Sequence, residues 1–428
     1  MFQKPASSYT APPATRKGLK TRIVRVKQYY FAAQYQAREE RMRSRAIAAI
    51  LVFLLGVMLF TAGCAKGPGT EPYVVGGIFS ITGPASYLGE PERNTMEMLV
   101  EAINAAGGIK GHPLKAVIYD DEGDVTKARL HAEKLITKDG AVAIIGPSIT
   151  PASMTVLEIT QKAQMPLISC AAAAGITMPV KDRFWTFKTA QTDQMAVERI
   201  YQYCKKNGIS KVALITVSSA FGVAGKAQLL AQAPQYGMEI VGQEVFADKD
   251  TDMTPQLTKI RSLPAQAVIC WGVGPAPALV AKNMKQLGFT IPLIQSHGAA
   301  SQKFIELAGD AGDGIILPAG KLAVFAQLPD TDPQKAVCKE YADKYQAKFK
   351  GAPVSSFGGY AYDAMKMLTQ ALDQAGKDKA KIRTALEGVK NYVGVSGVFN
   401  MTPADHNGLT PAAFVMVKIE KGHFKLID

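Results

Sequence analysis

Three short loops carry the residue types that can hold a small anion. Gly146-Pro147-Ser148-Ile149-Thr150-Pro151-Ala152-Ser153 follows the apolar run Ala141–Ile145 and opens a helical pattern. Thr150 is expected as the N-cap and Pro151 as the first helical residue, so free backbone N–H groups and the positive helix end face this loop. With the Ser148 hydroxyl beside them they make a seat for one carboxylate. A plain helix start with Ser148 bonded locally fits the same residues. In Ser169-Cys170-Ala171-Ala172-Ala173-Ala174-Gly175 small side chains leave backbone N–H groups approachable, which again suits an anion. In Thr189-Ala190-Gln191-Thr192-Asp193-Gln194, Asp193 either caps the helix that follows or meets a cationic group on a ligand.

Other chemistries lack their residues. There is no GxGxxG after the first strand and no GxxxxGK[ST], so no nucleotide cofactor is expected. A GxSxG elbow and an HExxH pair are missing as well. His112, His131, His297, His406 and His423 stand without ligand spacing, and no metal is expected. A solvated surface position suits all of them except His297. Cys170, Cys204, Cys270 and Cys338 form no CxxC pair, and spacing does not say whether any two are joined. Cys170 and Cys270 end apolar runs and read as small buried hydrophobes. The chain is expected not to be an enzyme.

The elements that must position these loops alternate. Tyr73–Phe79 is a short apolar run ended by Thr82-Gly83-Pro84. Met96, Leu99, Val100 and Ile103 share one face of a helical stretch closed by Gly107-Gly108. Strand-like runs follow at 115–119, 141–145, 165–169 and 184–187, and the rhythm restarts at 212–217, 240–246, 267–271, 291–294 and 314–317. Helical patterns lie between them and from 334 to 375 and 379 to 389. The closing run Phe414–Ile419 reads as a final strand before Gly422. Strand and helix in this order predict parallel sheets covered on both faces, in two doubly wound lobes. In such sheets ligands bind at strand C-termini, where the three loops fall.

Charge is unevenly placed. The chain of 428 residues has a formal charge of +13, with 47% hydrophobic and 20% charged residues. Residues 1–63 hold eleven Lys/Arg against Glu39 and Glu40, which leaves the body nearly balanced and removes the argument for a nucleic-acid partner. Arg43 and Arg45 precede the uncharged run Ala46–Phe60 and then Thr61-Ala62-Gly63-Cys64. That run is short for a permanent span and right for a signal sequence. The small residues before Cys64 resemble a bacterial lipobox, in which Cys64 is lipidated; an uncleaved N-terminal anchor is the plainer reading. Both export the body. Translation is expected to start at Met42, residues 1–41 being an untranslated or disordered extension, 42–63 the leader and 64–72 a Gly/Pro tether.

From Tyr73 to Asp428 the chain resembles the solute-binding proteins of branched-chain amino acid ABC transporters. The matching segments are Thr82-Gly-Pro with Gly89, Ile103-Asn-Ala-Ala-Gly-Gly-Ile-Lys-Gly, Asp120-Asp121, Gly146–Ser153, Pro166–Ser169 and Phe357-Gly-Gly-Tyr-Ala-Tyr-Asp363. The resemblance implies the α/β type I periplasmic binding fold, two lobes joined by a hinge, with the ligand closed between them. Expected boundaries are 73–190 plus 320–399 for the first lobe and 191–319 plus 400–428 for the second. By the same resemblance Ser148 holds the ligand carboxylate, Ala171 or Ala172 adds a backbone donor, and Asp193 meets an α-ammonium. Ala173 stands where a family Thr supplies a hydroxyl, and Phe221 where a Tyr lines the far wall. His297 falls where amino-acid binders carry a Glu for the ammonium. A buried ammonium needs paired acceptors, so this last difference raises the alternative of an aromatic or other non-amino carboxylic acid, with Leu88, Phe221 and Trp271 as apolar wall or Trp271 as plain core. The implied function is capture of a small apolar carboxylate, such as a branched-chain or other hydrophobic amino acid, and delivery to an ABC permease. The expected product is a lipid-anchored extracytoplasmic monomer; a ligand-sensing regulator on the same fold is the other class considered.

Overall fold

Strand β1 (Tyr73–Phe79) shows how the first lobe closes. Tyr73, Val75 and Phe79 enter one apolar core, whereas Ile78 enters another on the opposite face. A strand buried on both faces must be apolar throughout, which is why its sequence runs rather than alternates. The computed structural model describes residues 71–428 together with Arg38, Arg41 and Met42. The expected leader (Met42 aside), Cys64 and most of the tether lie outside the described residues. Among the described residues no helix is long and apolar enough to cross a membrane.

The first lobe continues with α1 (Ser86–Ala105), β2 (Leu114–Asp120), α2 (Val125–Thr137), β3 (Ala143–Ile145), α3 (Thr150–Lys162), β4 (Leu167–Ser169) and β5 (Thr186–Lys188). Its sheet is wholly parallel, in the order β2-β1-β3-β4-β5. The second lobe carries α4 (Asp193–Lys206), β6 (Lys211–Val217), α5 (Ala220–Tyr236), β7 (Glu239–Phe246), α6 (Thr254–Arg261), β8 (Ala267–Trp271), α7 (Ala276–Gln286), β9 (Leu293–Gln295), α8 (Gln302–Ala308) and β10 (Ile316–Gly320). The chain then returns to the first lobe with α9 (Gln334–Lys348), α10 (Ser356–Ala375), α11 (Lys379–Glu387) and the small hairpin β11 (Tyr392–Val393) and β12 (Val398–Phe399). It ends in β13 (Phe414–Glu420) and β14 (His423–Leu426) of the second sheet, ordered β14-β13-β10-β9-β8-β6-β7.

Four details differ from the sequence reading. The helical stretch from 334 to 375 is two helices, broken at Lys350 and Gly351, both at positive φ. The final strand is followed by a second, because Lys421-Gly422 turns the chain into the antiparallel β14. The last return to the second lobe comes at Phe414 rather than at residue 400: Met401, Leu409 and Ala413 still belong to the first lobe's core. His406, expected at the surface, is fully buried, stacked on Phe187 at 4.1 Å and bonded to Thr186 O and Glu387. All four described cysteines are buried and free.

The lobes are joined at three places, 189–192, 320–324 and 413–414. The first of them is held by residues of the first lobe. Asn407 Nδ2 donates to Lys188 O and Ala190 O, Gln191 Nε2 donates to Ser396 O, and Tyr360 OH donates to Gln191 Oε1.

Gly146 sets the path of the loop after β3. Its φ is +93°, and a Cβ there would lie 2.0 Å from Ile78 O. Gly146→Ala therefore combines backbone strain with a clash against a fixed carbonyl, and is expected to cost roughly 3 kcal/mol or more. Chemical denaturation of the variant beside the wild type measures it.

Candidate functional site

Four helices begin at one cavity. The N-caps of α1, α3, α5 and α7 are Ala85, Ile149, Ser219 and Pro275, and none makes a side-chain cap. All four residues line a cavity of about 590 Å³ between the two lobes. Of the helices that start elsewhere, α4, α8, α10 and α11 have side-chain caps and α6 and α9 do not; α2, capped by Asp124, starts at the rim of the same cavity. The uncapped ends leave backbone N–H groups and positive dipole ends directed at one space. Such a space favours a negative group.

Ser148 lies between β3 and α3 and is almost fully buried on the cavity wall. Its Oγ accepts from Ser80 N at 3.0 Å and donates to the Glu92 carboxyl. Ala171 and Ala172 also line the cavity. The Ala171 N–H donates to Ser169 Oγ, whereas the Ala172 N–H has no protein partner, so Ala172 is the free donor of the two. Thr150 is not the N-cap: it is the first helical residue, Ile149 takes the cap position, and the buried Thr150 Oγ1 is left without a partner on the cavity wall.

Asp193, Ala173 and Trp271 do not line the cavity. Asp193 is the first residue of α4 rather than its cap, and its carboxylate accepts from Ala174 N at 3.0 Å and Gln194 N at 2.9 Å. It holds the 171–174 loop from behind. Burial raises its carboxyl, with the nearby Lys188 opposing that shift. Lys188, buried on β5, donates to the carbonyls of Ala172 and Ala173 and stands behind the same loop. Burial pushes Lys188 down to about 7, against the pull of Asp193 and Asp405. Trp271 is wholly buried against Gly225 of α5, where a Cβ would sit 2.1 Å from its ring. It forms a second row behind Phe221 and His297, with ring centroids at 5.9 and 5.6 Å.

Leu88, Phe221 and His297 do face the cavity, joined by Val273, Phe357 and Tyr360. The Phe357–Asp363 motif carries two of these additions; nothing local marks Val273. His297 is 4% exposed, edge-on to Phe221 and Trp271, and neither ring nitrogen has a partner. Burial first, and the charge of Lys188 second, push it down to about 3, so the ring is neutral at ordinary pH and offers one donor and one acceptor. The carboxylates on the cavity wall are Glu122, Asp124 and Asp248, all at the exposed rim.

Tyr87, missed in the sequence, ties the lobes across the cavity mouth. From α1 its hydroxyl donates to Gly298 O at 3.4 Å and accepts from Gly274 N at 2.6 Å. Val273 packs against the cores of both lobes.

Known proteins share this design. The Leu/Ile/Val-binding protein BraC3 of Rhizobium johnstonii is 25% identical over 351 residues, 81% of this chain and 92% of that protein. An extracellular ligand-binding receptor from Rhodopseudomonas palustris HaA2 superposes with a TM-score of 0.79 at 31% identity, covering 83% of this chain and 99% of the other. The branched-chain amino acid transporter substrate binding protein LivJ from Streptococcus pneumoniae, solved with isoleucine, gives 0.73 at 26% identity over 83% and 99%. The family model described as "Periplasmic binding protein" matches residues 72–423. With that match across nearly all of the two-lobed body, the chain belongs to the periplasmic binding proteins, a family of non-catalytic solute receptors that work outside the cytoplasm.

Proposed function

We propose that this receptor captures a small, apolar carboxylic acid without an α-amine and presents it to an ABC permease, the body being held at the membrane through Cys64. The observation that carries the ligand class is the one-sidedness of the cavity's electrostatics. Four uncapped helix starts, the Ala172 N–H and Ser148 favour an anion, and Lys188 adds a positive charge behind them. Among the described residues no carboxylate lines the interior; those on the wall stand at the rim. An ammonium placed beside His297 would meet a neutral ring where a charged acceptor is needed, and an unpaired buried charge costs several kcal/mol, in order of magnitude. His297 suits a hydroxyl or another neutral polar group at the ligand's far end, with Leu88, Phe221, Val273 and Phe357 around an apolar middle.

A hydrophobic α-amino acid is the second reading, favoured by the names of the Leu/Ile/Val-binding relatives. Thermal denaturation separates the two. Benzoate, 4-hydroxybenzoate and 4-methylpentanoate are expected to include a ligand that stabilises the protein, by about 2.7 kcal/mol at a hundredfold excess over Kd, while L-leucine and L-isoleucine leave the transition unmoved. Stabilisation by the amino acids alone reverses the assignment.

His297→Glu places an acid at the far end of the cavity. It is expected to weaken the amine-free acid and to create measurable L-leucine binding, read by calorimetric titration of both ligands. Tyr87→Phe removes both bonds across the cavity mouth. Each such bond contributes about 0.5–1.5 kcal/mol, so a several-fold faster ligand release is expected, with little change in association rate, by stopped-flow measurement.

A further inference from the structure

A buried acid stands directly behind the carboxylate seat. Glu92, one turn after Leu88 on α1, is fully buried. One carboxyl oxygen shares the hydrogen bond with Ser148 Oγ, and the other, Oε1, has no partner. The titratable groups that face it are Asp121 after β2, Cys170 after β4 and Tyr360 on α10, all of them acids. Ser80 links Asp121 to Ser148, its N–H donating to Ser148 Oγ and its hydroxyl to Asp121 Oδ1 at 2.7 Å.

The Ser148 hydroxyl has one proton to give. Its oxygen already accepts from Ser80 N, so the proton goes either to Glu92 or to a ligand. If Glu92 is ionised, the proton is taken, and an incoming carboxylate meets a lone pair with a second negative charge behind it. If Glu92 is neutral, its own O–H can donate to Ser148 and the serine proton is free to turn to the ligand. Ser148 then makes its full set of three bonds.

We infer that Glu92 is a positioning residue for the ligand carboxylate, acting through Ser148: as the neutral acid it releases the serine proton to the ligand, and as the carboxylate it withdraws it. The inference rests on the carboxylate reading of the seat given above. Burial among acids favours the neutral form and holds the Glu92 carboxyl well above its usual range. Ligand and proton then bind to the site together. By linkage, affinity is full below the Glu92 pKa and falls as pH rises through it.

The test is calorimetric titration of the whole protein with 4-methylpentanoate and benzoate from about pH 6 to about pH 9, a range where neither probe changes charge. Wild type is expected to lose affinity with rising pH more steeply than a variant that cannot ionise at this position. Glu92→Gln cannot ionise yet keeps an N–H for Ser148, so it should hold its affinity apart from the fall that Lys188, common to both proteins, imposes. Glu92→Met fills similar space and takes no proton from Ser148, so it should bind at the acid end about as wild type does and follow the Glu92→Gln pH profile; in a Ser148→Ala background the same change should have no further effect. Matching pH profiles for wild type and Glu92→Gln overturn the inference, as does a Glu92→Met profile as steep as that of wild type. The Gln comparison stands alone if the Met variant does not fold. Should L-leucine bind in place of both probes, the amine-free reading fails and the same comparison with leucine decides the role of Glu92. Binding of no carboxylate at any pH overturns both.

Discussion

Backbone amides left unpaired at helix starts are the constraint around which this molecule is organised. A helix end without a cap is costly when it is shut away from water. Here α1, α3, α5 and α7 bring such ends to one enclosed space from two lobes. Parallel sheets produce this arrangement because every strand feeds its helix on the same edge. The space therefore favours a negative group.

The charged groups around the cavity follow from that constraint. Lys188 and Asp193 are buried, but they sit behind the 171–174 loop and act on it through its carbonyls and the Ala174 amide. They fix the loop on which Ala172 lines the cavity. His297, held neutral by burial, finishes the opposite end without adding charge. A receptor of this kind needs no reactive group. What it needs is exclusion of water and a fit that differs between open and closed lobes, and the Tyr87 bridge with Val273 in both cores meets that need.

Much of this was legible in the chain. The alternation of apolar runs and helical stretches located nearly every strand, because a sheet covered on both faces writes a continuous hydrophobic signal. Ser148, Ala172, Leu88, Phe221 and His297, which line the cavity, are conspicuous in the sequence because they sit in loops or motifs at strand ends. Asp193 was placed in the right loop, but sequence does not tell which side of a loop a carboxylate serves. The role of Glu92 could not be read at all: on α1 it looks like any polar residue, and only the meeting of α1 with the β3–α3 loop buries it beside Ser148. His406 was hidden for the same reason, its partners Thr186 and Glu387 being distant in the chain. Thr150 next to Pro151 imitated a cap, and the register of the turn decided for Ile149.

The three connections between the lobes, of which 189–192 is bonded to Asn407, Ser396 and Tyr360, bear on how the cleft can open. One tether would allow the halves to twist freely about it, and two would still permit a scissoring slide. Three lying side by side resist torsion, leaving a single bending path that separates the jaws without shearing them. Each opening then retraces the previous closing, so the register between Tyr87 and the Gly274 and Gly298 loops is recovered on every cycle rather than searched for anew.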